Sequence, residues 1–185
     1  MTHRKLLKLT RAGNPILGEI MPIVPKEEIL SEKVQSLISD IRYTNQQKEY
    51  GVGLAAPQVG VRLALSVIGI KPTPARPDVE PFDQVIINPQ YEGIGRRTGL
   101  WEGCQSVSSG NDILWAKALR YKEIHAKWLD ETGMYHEENL TGLVAHVFQH
   151  ETDHLNGILF MDRVRDTKSY MMADEYKKRV TNKVK

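Results

Sequence analysis

The sequence predicts an α+β fold in which antiparallel β-sheets pack around a central helix that carries an HExxH motif, with further helices near the N- and C-terminal ends. Strand-like segments are grouped in the middle of the chain, and helix-like segments lie towards its ends. Hydrophobic residues make up 41% of the chain and charged residues 26%, so the chain can bury a core. Because 185 residues is the length of one domain, we treat residues 1–185 as a single domain, with residues 164–185 as a C-terminal helical extension.

Apolar spacing and helix end signals predict three helices, at residues 25–46, 139–156 and 168–181. Pro25 suits the first turn of the first helix. Asn139 is expected to cap the second helix, and Gly157 is expected to end it.

Four strands are predicted between these helices, at residues 62–70, 84–88, 119–129 and 134–137. In the third strand Ile124, Ala126 and Trp128 alternate on one face. A turn at residues 131–133 leads into the fourth strand.

The charge balance and the cysteine content exclude several classes of protein. A formal net charge of +2 does not indicate a nucleic-acid or acidic-membrane partner. No stretch approaches the roughly 18 consecutive apolar residues of a membrane span. The single cysteine, Cys104, cannot form an internal disulfide, so a reducing cytoplasm is the simpler expectation. The basic N-terminus leaves an organelle transit peptide as the alternative.

Residues 150–154, within the second predicted helix, have the sequence HETDH. This spacing brings His150 and His154 to one helix face, about 6 Å apart along the axis, where both can bind one metal ion. Glu151 projects beside them and can take a proton from water. The competing interpretation is a polar helix face that carries these residues by coincidence. Apolar flanking residues argue for a buried helix, in which two histidines need partners.

A catalytic metal site needs a third protein ligand. Phe160 stands where a metzincin requires histidine, which excludes that class. His146 and His154 would lie about 12 Å apart along the helix axis, which is too far for one ion. Cys104 and Glu175, the latter as in thermolysin-like enzymes, therefore both stay open on spacing alone.

The sequence GVGLAAPQ at residues 51–58 is a second motif. Its Gly51, Gly53 and Ala56 match a dinucleotide-binding fingerprint, but no strand precedes it, and Pro57 interrupts the helix that should follow. We favour a loop whose glycines let the backbone lie against a substrate, with the Gln58 amide available to donate a hydrogen bond.

Three segments, in this order and spacing, resemble the peptide deformylase family: GVGLAAPQ at residues 51–58, EGCQS at residues 102–106 and QHETDHLNG at residues 149–157. The similarity extends more weakly over residues 6–163. It implies that Cys104, His150 and His154 hold the metal, which would be Fe²⁺ natively, with Zn²⁺, Ni²⁺ or Co²⁺ as substitutes.

The resemblance also implies the reaction and the residues that carry it. Such enzymes remove the formyl group from the N-terminal formyl-methionine of newly made polypeptides and release formate. A metal-bound water would attack the formyl carbon with Glu151 as general base, while the Gln58 side chain and the backbone N–H of Gln105 would stabilise the oxyanion. The substrate contacts carried over are Val52, Gly53, Gly103 and His146.

Three features depart from the family's pattern. Gln105 replaces a usual leucine, residues 108–111 have the sequence SSGN in place of proline-glycine, and His146 stands where an apolar residue would line the methionine pocket. These departures keep open a deformylase-like protein of altered specificity or low activity. His146 itself is either a pocket residue or a surface or hydrogen-bonded histidine.

Two further functions stay open on the sequence. One is a zinc endopeptidase with Glu175 as third ligand, and the other is a metal-stabilised binding protein with a closed, inactive site. The expected partner is an N-formylmethionyl peptide, with no membrane and no specific nucleic acid. The basic tail at residues 168–185 suits a transient ribosome contact, although a solvated terminal helix is the simpler explanation.

Overall fold

A computed structural model describes residues 4–48, 51–73, 76–110 and 112–181 of the chain. In chain order the helices and strands are α1 (Glu32–Gln46), β1 (Gly53–Ala55), β2 (Leu65–Ile70), β3 (Phe82–Ser109), β4 (Asp112–Leu129), β5 (Tyr135–Thr141), α2 (Gly142–Leu155), β6 (Met171–Met172) and α3 (Ala173–Tyr176). The strands form one six-stranded antiparallel sheet in the order β1-β2-β3-β4-β5, with β6 paired to β4. The predicted mixture of helices and antiparallel strands is confirmed.

The two long helices pack on opposite faces of this sheet. Leu65 and Val67 of β2 belong to the apolar cluster that contains α1, whereas Ile68 and Ile70 belong to the cluster that contains α2. This division follows from the alternation of side chains along a strand. As a result, α2 and its HExxH sequence lie against one face of the sheet, in contact with β1, β2, β3, β4 and β5.

The first long helix begins later than the sequence predicts. Lys26–Glu28 forms a short 3₁₀ turn, and α1 starts only at Glu32. The Ser31 side chain accepts a hydrogen bond from the Val34 backbone N–H at 3.3 Å, so it caps the helix at this point. The predicted start at Pro25 is therefore wrong, whereas the predicted end at Gln46 is confirmed.

The β3–β4 hairpin is much longer than the strands predicted at residues 84–88 and 119–129. Its outer part, residues 92–97, is exposed and mixes glycine with charged side chains. No apolar alternation marks such a segment, so periodicity alone ends the predicted strand too early. Gly110 turns the chain between the strands with a φ of 61°.

The junction between β5 and α2 also differs from the prediction. Asn139, the expected helix cap, lies inside β5, where it pairs with His125 of β4. The strand pairing continues to Thr141, and α2 begins at Gly142, whose φ of 59° lets the chain turn directly from strand to helix. The predicted cap is wrong because the ladder to β4 satisfies this backbone first. Gly157, with a φ of 70° just after the helix, confirms the predicted stop.

The C-terminal segment is only partly helical, so the helix predicted over residues 168–181 is wrong in its first half. Thr167–Ser169 is a 3₁₀ turn, β6 follows it, and a π-helical turn at Lys177–Thr181 continues α3. Tyr176 stacks on Trp115 of β4 with 4.0 Å between ring centroids, which anchors the segment to the sheet.

Some sequence predictions lie outside the described residues. These are residues 182–185 of the basic tail, residues 1–3 of the basic N-terminus and residue 111 of the SSGN segment. Within the described part of the chain, no helix has the length and apolar character needed to span a membrane.

Candidate metal centre and active site

Three donor atoms meet where β3 packs against α2. Cys104 Sγ lies 3.3 Å from His154 Nε2, which lies 3.2 Å from His150 Nε2. The ligand atoms of all three residues lie within 4.8 Å of one another. β3 supplies the thiol, and the i,i+4 spacing on α2 places both imidazoles on one face. The structure thus brings together the three residues for which metal binding is predicted.

This donor set fits a divalent transition metal. Ligand atoms about 2.0–2.3 Å from one tetrahedral ion lie roughly 3.3–3.6 Å from each other, which is close to the Cys104–His154 and His154–His150 spacings. One sulfur and two imidazole nitrogens bind transition metals more readily than they bind magnesium or calcium, which prefer oxygen ligands. Three protein ligands would leave a fourth position open, as catalytic sites require.

Glu102 controls the charge of the first histidine. Its Oε1 lies 2.5 Å from His150 Nδ1. Burial alone would lower the pKa of His150, but the Glu102 carboxylate and the Cys104 sulfur raise this pKa well above its usual 6.5. Burial and the positive charge of His150 lower the pKa of His154. His154 is therefore neutral and available as a ligand.

Glu102 also belongs to a buried network of charges. Arg120 donates to Glu102 Oε2 at 2.9 Å and to Oε1 at 2.7 Å, and it pairs with Asp153 as well. Asp153 in turn accepts hydrogen bonds from Arg163 at 2.9 and 2.8 Å. Burial would raise the pKa of Glu102, but the charge of His150 and the Arg120 hydrogen bonds hold it well below its usual range. This network links β3, β4 and α2 around the donor atoms.

The sequence motifs predict no role for Glu102, Arg120 or Asp153. The sequence spacing does indicate that Glu102 and Asp153 lie near the metal donors. Glu102 precedes Cys104 by two residues and so shares its strand face, and Asp153 follows His150 by three residues on the helix. Arg120 had no comparable signal, because its approach to Glu102 depends on the register of the β3–β4 hairpin.

Glu151 is buried beside the donor atoms, with 2% of its surface exposed. Burial raises the pKa of Glu151 to about 7. Within the described chain its Oε2 has no hydrogen-bond partner, while its Oε1 lies against Gly53, where a Cβ atom would overlap it. A carboxyl group with a pKa near neutrality can both accept and return a proton. This is the chemistry expected of Glu151.

Gln58 directs its amide nitrogen towards the donor atoms. Nε2 lies 3.5 Å from Cys104 Sγ and 3.3 Å from Ser106 Oγ. Its Oε1 accepts a hydrogen bond from the Ala55 backbone N–H at 2.8 Å, which fixes the amide so that its NH₂ faces the site. The buried side chain can therefore donate to an oxygen atom bound there.

Gln105 follows Cys104 directly on β3. Its carbonyl oxygen accepts hydrogen bonds from Arg11 Nη1 at 2.6 Å and from Ser108 Oγ at 2.9 Å. The Arg11 bond and the bond from the Ala12 backbone N–H to the Ser106 carbonyl, at 2.9 Å, tie this part of β3 to the N-terminal segment. The donor role of its own backbone N–H stays a prediction.

The glycine before the cysteine is confined by its neighbours. A Cβ atom at Gly103 would lie 2.8 Å from Ile113 Cγ2 and 3.0 Å from the Trp115 ring, so a side chain does not fit. Val52 is half-buried at the entry to β1, one residue before Gly53. These residues flank the donor atoms from β1 and β3, and their substrate contacts stay predictions.

His146 lies one helical turn before His150 and contacts the same carboxylate. Its Nε2 lies 2.7 Å from Glu102 Oε2, and 14% of its side chain is exposed. His146, which the sequence leaves as either a pocket residue or a surface or hydrogen-bonded histidine, is therefore hydrogen-bonded within the protein. A role in substrate binding stays a prediction.

Glu175, the other candidate for third ligand, lies on α3 near the surface. It pairs with Arg179, and its Oε1 lies 3.7 Å from Lys178 Nζ. Among the described residues, the group of donor atoms able to hold a metal contains Cys104 and not Glu175. The position of Glu175 therefore gives the endopeptidase interpretation no support.

Comparison with known proteins identifies close matches along nearly the whole chain. A family model described as polypeptide deformylase matches residues 6–170. A peptide deformylase of Leptospira biflexa serovar Patoc is 39% identical over 175 residues, covering 92% of this chain and 92% of that protein. Peptide deformylase 2 of Nostoc sp. is 35% identical over 187 residues, covering 98% of both chains.

Solved structures agree with these sequence matches. The class I type b peptide deformylase from Acinetobacter baumannii, bound to Met-Ala-Ser, has a TM-score of 0.78 and 31% identity, covering 86% of this chain and 99% of that one. The peptide deformylase from Thermotoga maritima has a TM-score of 0.71 and 31% identity, covering 88% of this chain and 100% of that one.

Proposed function

Because the chain belongs to the polypeptide deformylase family, we propose that it removes the formyl group from the N-terminal formyl-methionine of newly made polypeptides and releases formate. Membership of this family makes it a metal-dependent hydrolase. The observation that carries the proposal is the buried group of Cys104, His150 and His154. Gln58 lies beside this group and turns its amide nitrogen towards it. Glu151 is also adjacent, and its Oε2 has no hydrogen-bond partner among the described residues.

Cys104, His150 and His154 are the residues that would hold the metal. A divalent ion bound there would supply a Lewis acid that activates water for attack on the formyl carbon. We expect Fe²⁺ as the native ion, with Zn²⁺, Ni²⁺ or Co²⁺ able to replace it. The sulfur and nitrogen donors and their spacing support a divalent transition metal here, and the choice of iron among these ions follows the family resemblance.

Glu151 acts as general base and then as general acid. It accepts a proton from the attacking water and delivers it to the amine that leaves with the peptide. Its burial and its pKa of about 7 support this role, because both protonation states are then accessible near neutral pH.

The oxyanion that forms on the formyl oxygen receives hydrogen bonds from the protein. Gln58 donates from Nε2, whose position 3.5 Å from Cys104 Sγ supports the assignment. The backbone N–H of Gln105, next to the cysteine on β3, is the second donor. Donors fixed before the reaction stabilise developing charge without reorganising during it.

The peptide itself lies between β1 and β3. Val52, Gly53 and Gly103 provide the surface along which its backbone extends, with glycine required at both ends of that surface by the contacts described above. His146 faces the side chain of the first residue. Because its imidazole is held on Glu102, it makes this pocket more polar than an aliphatic residue would, which favours an altered side-chain preference.

Formate release tests the proposal. Metal-loaded protein is incubated with formyl-Met-Ala-Ser, and formate is measured with a coupled dehydrogenase assay; acetyl-Met-Ala-Ser serves as the matched control. We expect formate from the formyl peptide and no reaction with the acetyl peptide. Cleavage inside either peptide, or no formate at full metal occupancy, would contradict the proposal.

A further inference from the structure

An open cleft lies next to the candidate active site, between the C-terminal end of α1, the entry to β1 and the segment after β2. It encloses about 680 Å³ of space, including its mouth. The described residues that line it include four cationic side chains and a single acidic one: Arg42, Lys48, Lys71, Arg76 and Asp83. None of the metal-donor residues lines the cleft.

Most of this positive charge is not neutralised by the described protein. Arg42 is an exception, because it pairs with Asp83 Oδ1 at 3.1 Å and with Glu131 Oε1 at 3.2 Å. In the described part of the chain, Lys48, Lys71 and Arg76 have no ion-pair partner. Arg76 is half-buried and held beside the cleft by two backbone hydrogen bonds with Thr73, of 3.2 and 2.9 Å. Three unpaired cations around one cleft favour an anionic occupant.

The cleft is continuous with the site of the proposed reaction. Gly51 and Val52 line it, and the next residue, Gly53, supports the Glu151 carboxylate. Among the described strands β1 pairs only with β2, so its other edge can pair with an extended peptide. A peptide in β conformation advances about 3.3 Å per residue. A chain that begins at Glu151 and follows β1 towards Gly51 reaches the cleft within two or three residues.

We propose that this cleft binds acidic side chains of the substrate, so that formyl peptides with Asp or Glu two residues after the methionine are preferred. The inference rests on the proposed deformylation. Lys48, Lys71 and Arg76 attract the carboxylate, while the half-buried Val52 forms the wall between the cleft and the reacting centre. Because the charges are partly exposed, the preference falls as salt concentration rises.

The experiment compares formyl-Met-Ala-Glu with formyl-Met-Ala-Gln, both amidated at the C-terminus so that only the side chain differs in charge. At low salt we expect kcat/KM to be roughly three- to tenfold higher for the Glu peptide, through KM. The triple variant Lys48→Gln/Lys71→Gln/Arg76→Gln should bring the ratio of the two kcat/KM values to about one. Its kcat/KM for the Gln peptide should stay within about twofold of the wild-type value.

A second triple variant controls for net charge. Lys33→Gln/Lys168→Gln/Lys178→Gln removes the same number of charges from exposed positions outside the cleft and should preserve the ratio. A wild-type ratio of one, a ratio that survives in the cleft variant, or equal losses on both peptides would each overturn the inference. No turnover of either peptide by the metal-loaded wild type would overturn the proposed function, and this inference with it.

Discussion

The carboxylate of Glu151 lies directly over the backbone of Gly53, so close that a Cβ atom at residue 53 would overlap Glu151 Oε1. Gly53 belongs to β1 and Glu151 to α2, so this contact lies between the edge strand of the sheet and the helix that carries the histidines. Glycine is required at residue 53 because Glu151 leaves no room for a side chain. The backbone conformation does not require it, since the φ of Gly53 does not lie in the left-handed region.

Gly53→Ala should therefore displace the proposed base without removing a metal ligand. We expect kcat to fall roughly 10- to 100-fold, because small displacements of reacting groups have effects of this size. Metal content should stay at the wild-type level. Gly99→Ala is the matched control, since a Cβ there meets only Lys117 atoms at 3.5 and 3.8 Å. A Gly53→Ala enzyme with wild-type kcat would show that the Glu151 position does not matter.

Glu151→Ala should separate proton transfer from metal binding. Loss of a general base costs about 10²- to 10⁴-fold in rate, whereas the donor atoms of Cys104, His150 and His154 stay in place. The expected protein binds metal normally and has almost no deformylation activity. Turnover within tenfold of wild type would exclude Glu151 as the base.

Glu102→Gln should destabilise the fold by leaving Arg120 with one buried anionic partner, Asp153. Removing one partner of a buried ion pair costs about 3–5 kcal/mol. Urea unfolding of the metal-free protein measures the loss. Glu92→Gln, on the exposed outer part of β3, should change the free energy of unfolding by less than about 0.5 kcal/mol. Equal effects of the two variants would contradict a stabilising role for the Glu102–Arg120 pair.

Metal affinity should rise with pH. In the metal-free protein the pKa of His150 is raised well above its usual 6.5 in spite of burial, because Glu102 lies against Nδ1, so His150 holds a proton at neutral pH. A metal must displace that proton. By linkage, His150 stabilises the metal-free fold below about pH 6.5, and this contribution is lost as pH rises through the raised pKa.

Competition with a chromogenic chelator at about pH 6 and about pH 8 measures this dependence. Apparent affinity should be higher at the upper pH, and Glu102→Gln should show a smaller difference, since its His150 loses the charge that raises the pKa. An affinity that is independent of pH in the wild type would contradict proton displacement from His150.

Local spacing made the donor residues predictable, because His150 and His154 need only a helix to meet, and the three ordered motifs added Cys104. The helix cap predicted at Asn139 is wrong because this residue, although a good capping type, lies in β5 and pairs with His125 of β4. The extent of β3 was missed for a similar reason: its outer residues pair with β4 through the backbone and carry no apolar pattern.

The charge network around the site depends on tertiary packing. Glu102 and Arg120 are 18 residues apart along the chain and meet only because β3 and β4 pair antiparallel. His146 could be placed on the helix from sequence, but its bond to Glu102 could not, because that contact requires the packing of α2 on β3.

The most direct test measures metal content and deformylation activity on the same anaerobically purified sample, for the wild type, Cys104→Ala and Glu175→Gln. Cys104 should be required for the metal, whereas Glu175 pairs with Arg179 at the surface. We predict close to one metal per chain and formate release for the wild type and Glu175→Gln, and neither for Cys104→Ala. A Cys104→Ala protein that keeps its metal and its activity would contradict the assignment of this centre.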